Sequence, residues 1–226
     1  MKQNSQLKSV FVQPLIWVTL SMITAIGISP SGLAVTGKVS PHLSQQSAQK
    51  QPQPIAQFSD TNQPERSQLL QQAQALYEQE KWTDAEENLR KFTKKFPKDA
   101  FGHFQLGNVL VRQGESEAAI SSYREAISLQ PQYALAYNAI GAVYASQNRW
   151  EEAITEYKKA LEINPDYGDA LANLGEALWQ TNKRDEAKAS LKKALNIFKA
   201  QRRNQKVYQV ERMLQQMKSS DDPGVS

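Results

Sequence analysis

The chain is 226 residues long, with 27 basic and 23 acidic residues for a formal charge of +4, and it has no cysteine. That length permits a sizeable buried core, while the missing cysteine excludes disulfides, thiol nucleophiles and a lipid-anchored bacterial leader. Lys2 and Lys8 stand at the extreme N-terminus with no acid before residue 35, so the rest of the chain is close to neutral and nucleic acid is not expected as a partner.

Residues 1-34 read as an export signal. The two lysines give a positive start. Leu15 to Ile28 is uncharged and apolar, Ser29-Pro30 breaks it, and Gly32-Leu33-Ala34 puts small residues at a cleavage site. The competing reading is a retained anchor, because Val10 to Ile28 is uncharged throughout and just long enough to cross a bilayer. Gln13-Pro14 interrupts that longer run, which favours cleavage. Either reading places the remainder outside the cytoplasm, exported to a periplasm or equivalent lumen or held there at a membrane.

Residues 35-64 are rich in Gln, Ser and Pro and poor in large apolar side chains. Such a segment buries too little to offset the entropy of ordering itself, and it is expected to be a disordered linker. Ile55 and Phe58 are its apolar exceptions. His42 has no second histidine or any cysteine nearby, so it is not a metal site.

From residue 66 the pattern becomes periodic. In residues 134-167, Tyr137, Ile140, Gly141 and Tyr144 fall at helical spacing, Asn148 breaks the run, and Trp150 opens a second series: Ala153, Ile154, Tyr157, Ala160, Leu161. Asn164-Pro165 stops it. This predicts two amphipathic helices, a short polar turn and a proline stop. The unit recurs every 34 residues without gaps. Gly107, Gly141 and Gly175 share a register with Ala73; Ala85, Ala119, Ala153 and Ala187 form a second series; Ala126, Ala160 and Ala194 a third; Pro97, Pro131 and Pro165 a fourth. Small residues let the paired helices approach, and a bulky side chain there would push them apart. Two units depart from the pattern. The first carries Phe92 in the alanine series, and the fourth has Lys199 in place of the proline, which predicts a longer second helix.

Val207, Val210, Leu214 and Met217 then form one apolar stripe. They predict a helix over 203-218 that covers the open apolar end of the last unit. Residues 219-226 are expected to be a disordered tail.

No catalytic constellation is present, and no enzyme activity, cofactor or metal is expected. His103 stands in register with the packing residues Leu69, Tyr137 and Leu171 and reads as structural. The acids beside Trp82 and Trp150 open helices, where carboxylates favour the helix dipole. Gly141 and Gly175 lie inside helices, not in a phosphate loop. From Lys183 to Lys218 eleven basic residues face only Asp185, Glu186 and Glu211. They read either as a solvated face or as a surface for anionic lipid or an acidic partner.

With several constraints repeating in one register, the chain resembles the tetratricopeptide repeat (TPR) family over units 66-99, 100-133, 134-167 and 168-201. The resemblance implies an all-α, right-handed α-solenoid of four helix pairs plus the C-terminal cap. It implies a non-enzymatic scaffold that binds a protein or peptide partner in a groove lined by the first helix of each pair. The alternative is a membrane-surface or complex-assembly factor acting through the basic C-terminal helices. Carried residue by residue, the groove positions are Ser67, Leu70, Gln74 and Tyr77; Phe101, Phe104, Asn108 and Val111; Leu135, Asn138, Ala142 and Ala145; and Asp169, Ala172, Glu176 and Trp179. Phe101, Phe104 and Tyr77 are expected to be exposed anchors that the fold itself does not need. Asn108 matches one position of the family's carboxylate clamp, but Leu70, Phe104 and Asn138 replace its other lysines and asparagines, so the clamp is not expected. Asn173 matches an amide ladder that Ala139 interrupts.

Overall fold

A computed structural model describes residues 63-221. Nine helices occupy the described residues: α1 Gln63–Glu78, α2 Trp82–Lys95, α3 Ala100–Gln113, α4 Ser116–Leu129, α5 Ala134–Ser146, α6 Trp150–Ile163, α7 Gly168–Gln180, α8 Arg184–Ala200 and α9 Asn204–Asp221. The first eight form four antiparallel hairpins, each stacked on the next in chain order, and α9 packs on α8. This is the all-α solenoid expected from the 34-residue period. The export-signal segment, residues 1-34, lies outside the described residues. Two boundaries move. The expected linker ends at residue 64, but Gln63 and Pro64 are already helical, because proline suits a helix's first turn, where its missing N–H costs nothing. The expected tail begins at residue 219, but α9 continues to Asp221.

The turns repeat as strictly as the helices. Each hairpin turns through one left-handed residue: Glu80, Gly114, Asn148 and Asn182, with φ of 58°, 82°, 59° and 60°. After each of them a backbone N–H reaches back across the helix end: Lys81 to Leu76, Glu115 to Leu110, Arg149 to Tyr144 and Lys183 to Leu178, all at 2.9 Å. These bonds satisfy carbonyls that the helix leaves open. Glycine and asparagine tolerate the left-handed region; Glu80 does so at a steric cost. Between hairpins the chain turns over its proline, with Tyr133 N–H donating to Gln130 O and Tyr167 N–H to Asn164 O, both at 3.1 Å. Lys199 lacks that proline, and α8 runs 17 residues against 14 in α4 and α6. It ends in a fifth left-handed turn, at Arg202 (φ 55°).

The core follows the small-residue series. Ala85, Ala119, Ala153 and Ala187 are fully buried, as are Ala126, Ala160 and Ala194. A Cβ added at Gly107 would lie 2.5 Å from the Tyr123 ring, and one at Gly141 would lie 2.6 Å from Tyr157. These glycines exist so that a tyrosine from the second helix can press on the first. Phe92, the odd member of the alanine series, is fully buried. Its ring has room only because the residue across from it is Gly102, where a Cβ would meet it at 2.2 Å. Units three and four carry Ala136 and Ala170 there. A large-for-small exchange on α2 is matched by a small-for-large one on α3.

On α9, Val210 and Met217 are buried, and Val207, Met213 and Leu214 are partly buried against the core. The predicted stripe is thus the face that meets the last hairpin. Among the described residues no helix is long and apolar enough to cross a membrane.

Candidate functional site

The first helices, α1, α3, α5 and α7, carry the predicted site residues, and the structure separates these into three groups. Phe101 and Leu135 are exposed, at 40% and 42% of their surface. Leu70, Gln74, Tyr77, Val111 and Trp179 are partly buried. Phe104, Asn108, Asn138 and Asn173 are buried.

The last group corrects the sequence reading, in which Phe104 stands free as an anchor beside Phe101. Phe104 is 6% exposed, with its ring centroid 5.6 Å from Tyr123 and 5.1 Å from Tyr133. Two tyrosines, one from the same hairpin and one from the following loop, enclose it, so it belongs to the core. The buried asparagines are likewise engaged within the protein. Tyr123 OH donates to Asn108 Oδ1 at 2.9 Å, and Asn108 Nδ2 donates to Gln105 Oε1 at 2.8 Å. Asn173 Nδ2 donates to Asn138 Oδ1 at 3.0 Å, tying α7 to α5. These amides join helices; they are not free rungs for a peptide. His103 Nε2 donates to the Pro97 carbonyl at 3.0 Å, a structural bond.

A pocket of about 180 Å³ opens between α1 and α3. Ala73 and Leu89 form its apolar base; Gln74, Tyr77, Gln105, Asn108 and Arg112 form its polar wall. The sequence predicts Gln74, Tyr77 and Asn108 as site residues but not Arg112. Arg112 Nε donates to Tyr77 OH at 2.7 Å. Its guanidinium carbon lies 5.6 Å from the Tyr77 ring centre and 5.7 Å from that of Trp82, within reach of a cation–π attraction. The two rings and the hydroxyl fix the guanidinium, and among the described residues no carboxylate pairs with it, which leaves donors for an outside acceptor. Its only signal in the sequence is a lone arginine in the last turn of a first helix.

At the other end the groove position Asp169 is occupied. It is buried, and Arg203 grips it with two bonds, at 2.8 and 3.1 Å, while Lys206 Nζ lies 3.1 Å away. Burial, partly offset by Asp169, holds the Lys206 amine down at about 8. The first turn of α9 therefore closes this end. The same helices spend much of the predicted basic run internally. Lys183 pairs with Glu151, Lys193 with Asp166, Lys199 with Glu211, and Arg203 and Lys206 with Asp169.

Antiparallel helix hairpins stacked in chain order define an all-α solenoid of repeats. Matches to known families and structures agree. The descriptions "TPR repeat" and "Tetratricopeptide repeat" match residues 107–147 and 143–182, residues 168–201 and residues 69–99. The crystal structure of MamA is similar at 31% identity, over 61% of this chain and 81% of that one, with a TM-score of 0.56. A second MamA structure is similar at 31% identity, over 64% and 78%, with a TM-score of 0.54. TTC0263, a thermophilic TPR protein of Thermus thermophilus, shares the fold at 18% identity, over 67% and 91%, with a TM-score of 0.52. No curated protein sequence matches. The chain belongs to the tetratricopeptide repeat family, whose members typically mediate protein–protein interaction.

Proposed function

We propose that this protein is a non-enzymatic scaffold that holds a segment of a partner protein along its first helices, outside the cytoplasm. The observation that carries this reading is the pocket between α1 and α3. It joins an apolar base to a fixed guanidinium with spare donors, and the exposed Phe101 is on α3 as well. An extended peptide supplies both things such a surface needs, apolar side chains and main-chain or side-chain oxygens. The export pattern in residues 1-34 supports the location. The basic C-terminal helices support a membrane-surface role less well, since five of their cations already hold carboxylates of this chain.

The test uses a peptide captured by the full chain from a displayed random library, followed by fluorescence anisotropy. Arg112→Ala and Phe101→Ala are expected to weaken binding by about tenfold each, in line with the loss of a charged donor or an aromatic anchor. Their melting temperatures are expected to stay within about 2 °C of the parent, because both side chains are exposed. Full binding by both variants would move the site elsewhere. Intact mass of the exported protein tests the location: a chain beginning near Val35 supports a cleaved signal, and a full-length mass in the membrane fraction supports the anchor.

A further inference from the structure

We infer that the second half of the groove, on α7, receives a lysine or arginine side chain of the partner, and that Glu176 is the residue that binds it. The inference rests on the groove reading given above and specifies the partner's chemistry. Glu176 is partly buried in the middle of α7, and burial raises its carboxyl above the usual range with no cation offsetting the shift. The rest of the fold treats withdrawn carboxylates differently. Asp99 holds Arg66, Glu86 holds Arg90, Glu156 holds Lys159, and Asp169 holds Arg203 and Lys206. Glu176 has no such partner among the described residues. A buried charge without a counter-ion is costly, and where a protein tolerates one on a binding face, that face is a candidate for a ligand of opposite charge.

The repeat register sharpens this. Two units before Glu176 stands Asn108, a wall of the pocket between α1 and α3. Asn108 is satisfied by the hydroxyl of Tyr123 from its own hairpin. In the last hairpin the tyrosine's place is taken by Leu191, so Glu176 has no such donor from its own hairpin. One unit before Glu176 stands Ala142, so at that position the neighbouring first helix carries only a methyl group. Tyr157 is the polar neighbour, and the Glu176 charge adds to the burial that raises its phenol; a phenol that keeps its proton can share that site without repelling a cation. Trp179, one turn further along α7, provides a ring for the aliphatic stem of the incoming side chain. Arg184 already covers part of that ring, 4.5 Å from its centre.

The test uses the full chain and a degenerate peptide library in which one central position is fixed as Lys, Arg, Gln or Glu. The parent protein is expected to retain the Lys and Arg pools at least about tenfold over the others, as for a charge pair that excludes water. In Glu176→Gln that ratio should fall to about one while capture of the mixed pool persists. Glu176→Gln should also melt at the same temperature as the parent or higher, since it removes an unpaired charge. A lower melting temperature would show that the carboxylate serves the fold and would overturn the inference. Equal selection by parent and variant would overturn it while leaving the groove reading intact. No capture of any pool by the parent would remove both. A dimer of the peptide-free parent that Glu176→Gln dissociates would assign the cation to a second copy of this chain and would also overturn it.

Discussion

Replacing Gly102 by alanine puts a methyl group where the ring of Phe92 already is. The added Cβ would lie 2.2 Å from one ring carbon and 2.4 Å from another, far inside van der Waals contact. The ring cannot swing away, because Phe92 is fully buried between α2 and α3. Overpacking of this kind costs about 1–3 kcal/mol. Against it stands the helix preference of alanine over glycine, up to about 1 kcal/mol in a helix interior and less here, in the first turn of α3. The clash therefore wins, with net destabilisation of about 1–2 kcal/mol and a fall in melting temperature of about 2–8 °C for a domain of this size. Thermal melts followed by circular dichroism read this directly. The decisive measurement adds Phe92→Ala. Once the ring is gone, Gly102→Ala has nothing to strike and should stabilise, restoring the alanine pair found in the later units. A double-mutant cycle should show coupling of about 1–3 kcal/mol. A Gly102→Ala protein that melts higher than its parent, or a cycle with no coupling, would refute the packing argument.

Phe104→Ala should cost about 3–5 kcal/mol of stability, because it empties a buried aromatic site, whereas Phe101→Ala should leave unfolding by denaturant nearly unchanged; equal effects would mean that the two rings are not divided between core and surface. Glu80→Gly should stabilise by about 0.5–1 kcal/mol, since it relieves a left-handed residue (φ 58°) that the other hairpins fill with glycine or asparagine, and a loss of stability on denaturant titration would count against this. For Lys206 the folded amine titrates at about 8, below its ordinary value of 10.5. Between those values the unfolded chain binds the proton that the folded chain lacks, so this group makes stability rise with pH from about 8 to about 10. Lys206→Met should abolish that rise when unfolding midpoints at pH 7 and pH 9.5 are compared, and an unchanged slope would contradict the assignment. Buried Tyr123 and Tyr157, whose phenols are pushed up by burial, act in the opposite direction, holding stability that is lost above about pH 10.

The architecture was legible because a repeat states each constraint several times. One glycine inside a helix is ambiguous, but three in one register, each opposite a tyrosine or leucine, specify a close helix approach. The hairpin turns repeat in the same way, and among the four of them only Glu80 departs from the residue types that a left-handed turn favours; Arg202, after α8, departs as well. The site was less legible, because register tells which helix face a residue occupies but not how far neighbouring side chains cover it. Phe104 and Phe101 differ by one turn, yet Tyr123 and Tyr133 reach over the first and leave the second bare. Asp169 looks like a groove residue in the sequence because its cations, Arg203 and Lys206, arrive from a whole repeat length away. Pairings between repeats leave no mark in the periodicity of either partner. Arg112 escapes the sequence reading because its role depends on Tyr77 in the preceding unit.

The two ends of the first-helix surface are therefore unlike in a way that bears on function. At the N-terminal end a guanidinium is held by aromatic rings and faces an open pocket. At the C-terminal end a carboxylate of the same surface, Asp169, is already bound by Arg203 and Lys206, and its neighbour Glu176 on the same helix is not. Had the surface served only to cover the core, its charges would be expected to meet partners throughout, as Asp169 does. The charges without an ion-pair partner among the described residues, Arg112 and Glu176, instead occupy the pocket at one end and the position just short of the cap at the other, with opposite signs. On the proposed reading, a bound segment that satisfied both would have a direction imposed on it: an acceptor-bearing residue toward α1 and α3, a cation toward α7. Direction would matter for such a scaffold, because a peptide laid in reverse would set its cation against Arg112 and an acceptor against Glu176, and such mismatches discriminate between partners.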